Sequence, residues 1–86
     1  MVFMAKKILI IEDDKKVIAS LADNLRVEGY DVFTALDGET GWELARHHTY
    51  DLIVLDIMLP GLDGLSLCRR IRNDNQMPDI PIIILT

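Results

Sequence analysis

Four acidic side chains stand at the ends of apolar runs in this chain, in positions where carboxylates can do chemistry. Glu12, Asp13 and Asp14 directly follow Ile8-Leu9-Ile10-Ile11, and Asp56 directly follows Leu52-Ile53-Val54-Leu55. Each run reads as a short strand buried on both faces. In an open parallel sheet, ligands bind at the carboxyl ends of the strands. If the two runs are neighbouring strands, Asp13 and Asp56 share one small site. Anions held together repel one another unless a cation bridges them. Hard oxygen donors with open positions suit Mg²⁺, which keeps several waters and needs only one or two protein carboxylates plus phosphate oxygens. With such an ion present a carboxylate can attack phosphorus, because the ion offsets the charge that gathers on the phosphoryl oxygens. Asp56 is the candidate nucleophile, and an aspartyl phosphate would be the product. Thr86, after the apolar run Ile82 to Leu85, adds a hydroxyl at the same rim; it can donate to a phosphoryl oxygen.

The elements that must hold these groups alternate. After the first strand, Val17, Ile18, Leu21 and Leu25 recur at three- and four-residue steps, which predicts a helix with Asp14 as N-cap and Gly29 as its left-handed terminal residue. Asp31 to Ala35 is a shorter, less apolar strand suited to an outer position. Glu39 to His47 reads as a second helix with Leu44 and Ala45 turned inward, and Leu52 to Asp56 as the third strand. Pro60-Gly61-Leu62-Asp63-Gly64 is a turn-rich loop, in which Pro60 and Gly64 shape the backbone. A third helix follows from about Leu65 to Asn73, with Leu65, Cys68 and Ile71 on one face, and the polar stretch to Pro81 leads into a fourth strand expected to be buried, Ile82 to Thr86. Strand and helix in strict alternation with short connections mean a parallel α/β sheet with right-handed crossovers. Nothing divides the 86 residues, so they are expected to form part of a single domain.

Composition narrows the function classes. The net charge of −5 disfavours nonspecific binding to nucleic acid, and the arginines Arg69, Arg70 and Arg72 make too small a patch to reverse that. The single cysteine, Cys68, rules out an internal disulfide and a cysteine metal cluster. No apolar run reaches membrane-span length and the start lacks a secretory pattern, so a cytoplasmic address is expected. A dinucleotide site would need a glycine-rich turn where this chain has Ile11-Glu12-Asp13-Asp14, and the phosphate loop of nucleotide hydrolases has no counterpart. An aspartyl phosphatase usually carries a second acid two residues after its nucleophile; position 58 is Met. His47-His48, adjacent on a helix end without a partner cluster, read as solvated, and Trp42 as a surface or half-buried packing residue.

Ile10-Ile11-Glu12-Asp13-Asp14, the stretch VLDIMLPGLDG at 54 to 64 and PIIILT at 81 to 86 together resemble the receiver domain of two-component response regulators. The resemblance implies a flavodoxin-like fold whose strand order over these residues is 2-1-3-4. It also implies that Asp56 accepts a phosphoryl group from a sensor histidine kinase. Glu12 and Asp13 match the family's acidic pair at the Mg²⁺ site, with Asp13 and Asp56 as direct ligands and Glu12 acting through water. Met58 matches the position whose backbone carbonyl completes the protein ligands, and Thr86 the switch hydroxyl. The wording of 56 to 72 is similar to receivers attached to winged-helix DNA-binding domains, which implies a role in transcription regulation. Such a module assists its own phosphorylation and is not a conventional enzyme.

The chain departs from the family at its carboxyl end. A receiver continues through a fourth helix, a fifth strand bearing a phosphate-binding lysine, and a fifth helix, whereas here no lysine follows Lys16. Residues 1–86 are therefore expected to be the N-terminal two-thirds of a receiver, with phosphorylation impaired. A fourth strand left at an edge is expected to pair with a second copy of the chain. The competing expectation is a non-catalytic α/β fragment that serves only in structure or assembly.

Overall fold

The computed structural model describes residues 4–77 and 79–85. The apolar runs form strands and the three- and four-residue periodicities form helices, in the order β1 (Lys7–Ile11), α1 (Lys15–Val27), β2 (Asp31–Ala35), α2 (Gly38–His47), β3 (Leu52–Asp56), α3 (Gly64–Arg72) and β4 (Ile82–Leu85). All strand pairs are parallel and the sheet order is β2-β1-β3-β4. This is the flavodoxin-like arrangement expected from the sequence, with β1 and β3 adjacent in the middle. Among the described residues no helix is long and apolar enough to cross a membrane.

The pleat sorts the core into two layers, because successive strand residues face opposite sides. Leu9, Ile11, Ile53 and Leu55 pack with Ala45 of α2 and with Leu67 and Ile71 of α3. Ile8, Ile10 and Val54 face the other way, onto Ile18 and Ala22 of α1. The middle strands are therefore covered on both sides, as their unbroken apolar runs require.

Two expectations about helix faces are corrected. In α1 the buried residues are Ile18 and Ala22, which pack with Ile8 and Ile10 of β1, while Val17 is exposed. In α3 the inward residues are Gly64, Leu67 and Ile71; Leu65 is exposed and Cys68 half-buried. A 3.6-residue period leaves the phase open, and the close seating of Gly64 on the chain after β3 sets it. In β4, whose apolar run reads as a buried strand but which the inferred order leaves at an edge, Ile83 is 50% exposed and Ile84 36% exposed, the strand lying at an edge of the described sheet. Gly29 has φ +97°, as a left-handed terminal residue should.

Candidate metal and phosphoryl site

The register of the two central strands builds the site. Ile8 lies opposite Leu52, Ile10 opposite Val54 and Ile11 opposite Leu55. Continuing one residue brings Glu12 level with Asp56. Alternation also keeps Glu12 in phase with Ile8 and Ile10, and Asp56 in phase with Leu52 and Val54, so both carboxylates leave the sheet on the α1 side. The Glu12 amide donates to the Ala35 carbonyl at 3.0 Å, which holds the chain extended beyond β1. Asp13 then turns into the cap of α1, where Asp14 accepts from the amides of Lys16 and Val17.

Glu12, Asp13 and Asp56 each offer a carboxylate oxygen within 4.8 Å of the others. Glu12 is only 7% exposed, Asp56 is half-buried and Asp13 is exposed. Burial, a hydrogen bond to Asp56 and repulsion from Asp56 and Asp13 push the Glu12 carboxyl up to about 7. Asp56 moves the other way: the Glu12 hydrogen bond, then the amides of Met58 and Ile57, hold it below its ordinary value. The two shifts describe one arrangement, in which a proton on Glu12 is shared toward an anionic Asp56.

The loop after β3 completes the site. The Met58 amide donates to Asp56 Oδ1 at 3.1 Å, and the Ile57 amide donates to the Leu85 carbonyl at 3.2 Å, so Asp56 is fixed from both directions. The Gly64 amide returns to the Ile57 carbonyl at 3.0 Å and closes the loop. Gly61, at φ +72°, supplies the turn within it. Thr86, the candidate hydroxyl, lies outside the described residues, but Leu85 pairs with Asp56 in the register of β3 and β4.

The donor set fits a hard divalent cation. Three carboxylates so close that one of them retains a proton near neutrality lack positive charge, and oxygen donors with solvent access are what Mg²⁺ takes. Glu12, Asp13 and Asp56 are the groups that would hold it.

Other sequence candidates stay apart from this site. His47 and His48 are exposed at the end of α2, His47 Nε2 lying 3.1 Å from Glu43 Oε2. Trp42 is half-buried, with the guanidinium groups of Arg70 and Arg46 at 5.4 and 5.7 Å from its ring centroid. Sequence reasoning missed the matched starts of α2 and α3. Asp37 caps α2 through the Thr40 amide, and Asp63 caps α3 through the Ser66 amide, each with a glycine next in the chain. The repeated pattern Asp-Gly-x-Ser/Thr was the available signal.

Relatives carry the same architecture. The N-terminal domain of a response regulator receiver protein from Methanoculleus marisnigri JR1 is 34% identical, with a TM-score of 0.89 over 93% of this chain. A putative response regulator from Chloroflexus aurantiacus J-10-fl is 33% identical, with a TM-score of 0.91 over 94%. The chain spans less than two thirds of those two molecules, 65% and 66% of their lengths. The receiver domain of a sensor histidine kinase from Pseudomonas aeruginosa PAO1, solved with a magnesium ion coordinated in its active site cleft, is 36% identical. Its TM-score is 0.92 over 96% of this chain and 68% of its own. Residues 8–86 match the family model for the response regulator receiver domain, and it is to this family that the chain belongs.

Proposed function

We propose that this chain is the N-terminal part of a single receiver domain and that Asp56 is its phosphoacceptor, taking a phosphoryl group from a sensor histidine kinase. The observation that carries the reading is the meeting of Glu12, Asp13 and Asp56 within 4.8 Å at the ends of two adjacent parallel strands. Glu12, Asp13, Asp56 and the Met58 carbonyl would hold Mg²⁺, which when bound would supply charge neutralisation for the phosphoryl oxygens. The receiver in the Pseudomonas histidine kinase, with magnesium in its cleft, supports the choice of ion.

The chain's own groups do the rest. Asp56 presents a carboxylate oxygen as nucleophile at the strand mouth, kept anionic by the hydrogen bond from Glu12 and by the Met58 amide. Loss of the Glu12 proton frees its carboxylate for the ion. The oxygen of Asp56 bonds to phosphorus as the bond to the kinase's histidine nitrogen breaks; with that ring protonated on its other nitrogen, the products are a neutral imidazole and an acyl phosphate. Thr86 donates its hydroxyl to the phosphoryl group. Residues 1–86 taken by themselves contain no lysine after Lys16, and their phosphorylation in isolation is expected to be slow. The exposed Ile83 and Ile84 of β4 favour pairing with a second copy, read by light scattering as a dimer. Similarity of residues 56 to 72 to receivers joined to winged-helix domains supports transcription regulation as the output of the parent protein.

Acetyl phosphate with Mg²⁺, followed by intact mass, tests the assignment. One added phosphoryl group, slow to accumulate and absent in Asp56→Asn, is expected. Phosphorylation that persists in Asp56→Asn rejects Asp56 as the acceptor.

A further inference from the structure

We infer that Gly38, at the first residue of α2, is a positioning residue for the Asp56 site and acts through the backbone of Leu62. This rests on the reading of Glu12, Asp13 and Asp56 as a Mg²⁺ site. Both helices on this face of the sheet begin with the same short device, Asp37-Gly38-Glu39-Thr40 and Asp63-Gly64-Leu65-Ser66. Each aspartate accepts from the amide three residues on, at 2.7 Å from Thr40 and 2.9 Å from Ser66. Each is also bonded by that residue's hydroxyl, at 3.1 and 3.0 Å. Two-point caps of this kind leave neither helix start free to fray.

The glycine inside each device is buried and pressed on the loop that joins β3 to α3. A side-chain carbon at Gly64 would run into the Asp56 carbonyl and lie 2.7 Å from the Ile57 Cα; one at Gly38 would run into the Leu62 carbonyl and lie 2.9 Å from the Leu62 Cβ. Residues 57–63 are thus seated against two capped helix starts. The atom facing Gly38 is a backbone oxygen, which cannot rotate away as a side-chain end can. Adding a methyl therefore moves either α2 or the loop. Because Gly64 closes the loop onto the Ile57 carbonyl at 3.0 Å, a shift at Leu62 is passed to Met58. Met58 gives its amide to Asp56 Oδ1, and on the reading of this site its carbonyl would face the ion. Gly38 touches none of the carboxylates; it orients the segment that does.

Mg²⁺ titration of the 86-residue chain by calorimetry, in wild type, Gly38→Ala and Gly29→Ala, tests this. Gly29 has φ +97° and no atom within 4 Å of an added carbon, so its substitution strains the backbone at the far end of α1 without touching the loop. Gly38→Ala should weaken Mg²⁺ binding about tenfold and shift the Met58 amide resonance, while Gly29→Ala lowers the urea midpoint and leaves the Kd unchanged. Wild-type Kd in Gly38→Ala, with Mg²⁺ binding intact in wild type, overturns the positioning inference alone. No Mg²⁺ binding by wild type overturns the site reading beneath it. Should Gly38→Ala not fold, the wild-type amides of Gly38 and Leu62 decide: movement with the Mg²⁺ midpoint of Met58 supports the inference, and resonances that stay still reject it.

Discussion

Replacing Tyr50 by Phe should make the protein more stable, against the usual direction of a buried substitution. Tyr50 is 6% exposed and precedes β3, and its hydroxyl has no hydrogen-bond partner among the described residues. In the unfolded chain that hydroxyl is hydrated, so folding strands it at a cost of about 1–3 kcal/mol. The ring itself is kept in Tyr50→Phe, including its edge-on contact with Phe33 at 5.6 Å and 73°. Only one oxygen's worth of space is vacated, a cost of about a few tenths of a kcal/mol. The net gain is about 1–2 kcal/mol, or a rise in Tm of about 4–8 °C for each kcal/mol in a domain of this size. Urea unfolding at neutral pH measures it. The hydroxyl also supplies a pH signature. Burial raises its pKa above the ordinary 10.0, so the contribution of the neutral phenol is complete below that value and is lost as pH climbs through the raised one. The advantage of Tyr50→Phe should therefore widen above pH 10. Equal or lower stability in Tyr50→Phe at neutral pH would refute the reasoning, because the hydroxyl would then have been satisfied.

Asp56→Asn should stabilise the metal-free chain, on the order of 1–3 kcal/mol, by removing one of three converging carboxylates while keeping an acceptor for the Met58 amide; thermal melts with and without Mg²⁺ should show the ion raising the wild-type Tm and not that of the variant. Gly64→Ala should destabilise by about 1–3 kcal/mol through overlap with the Asp56 carbonyl and Ile57 Cα, outweighing the helix-propensity gain of up to about 1 kcal/mol. A higher urea midpoint in that variant would show the contact to be slack. Asp37→Ala and Asp63→Ala should each lower the urea midpoint at neutral pH. The amides and hydroxyls of Thr40 and Ser66 hold these carboxyls below their ordinary 3.8, so the caps act fully above that value and fade as pH falls beneath it. The gap between wild type and each variant should accordingly close in strong acid.

The sequence alone was sufficient for the element order, because each apolar run is strand-sized and each helix carries its own period and cap. Ile8 to Ile11 and Leu52 to Leu55 read as strands buried on both faces, which puts the acids that follow them at strand ends. Local signals do not carry the phase of a helix or the level of one strand against another. Leu65 and Cys68 were assigned inward and Leu67 was not, since the seating of Gly64 on Ile57 that rotates α3 is a contact between separate elements. The pairing of Ile11 with Leu55 decided that Glu12 stands level with Asp56 and is buried enough to keep a proton near neutrality. Burial and register are long-range properties: they depend on which surfaces meet, and only the folded chain brings Gly38 to Leu62 or leaves the Tyr50 hydroxyl without a partner among the described residues.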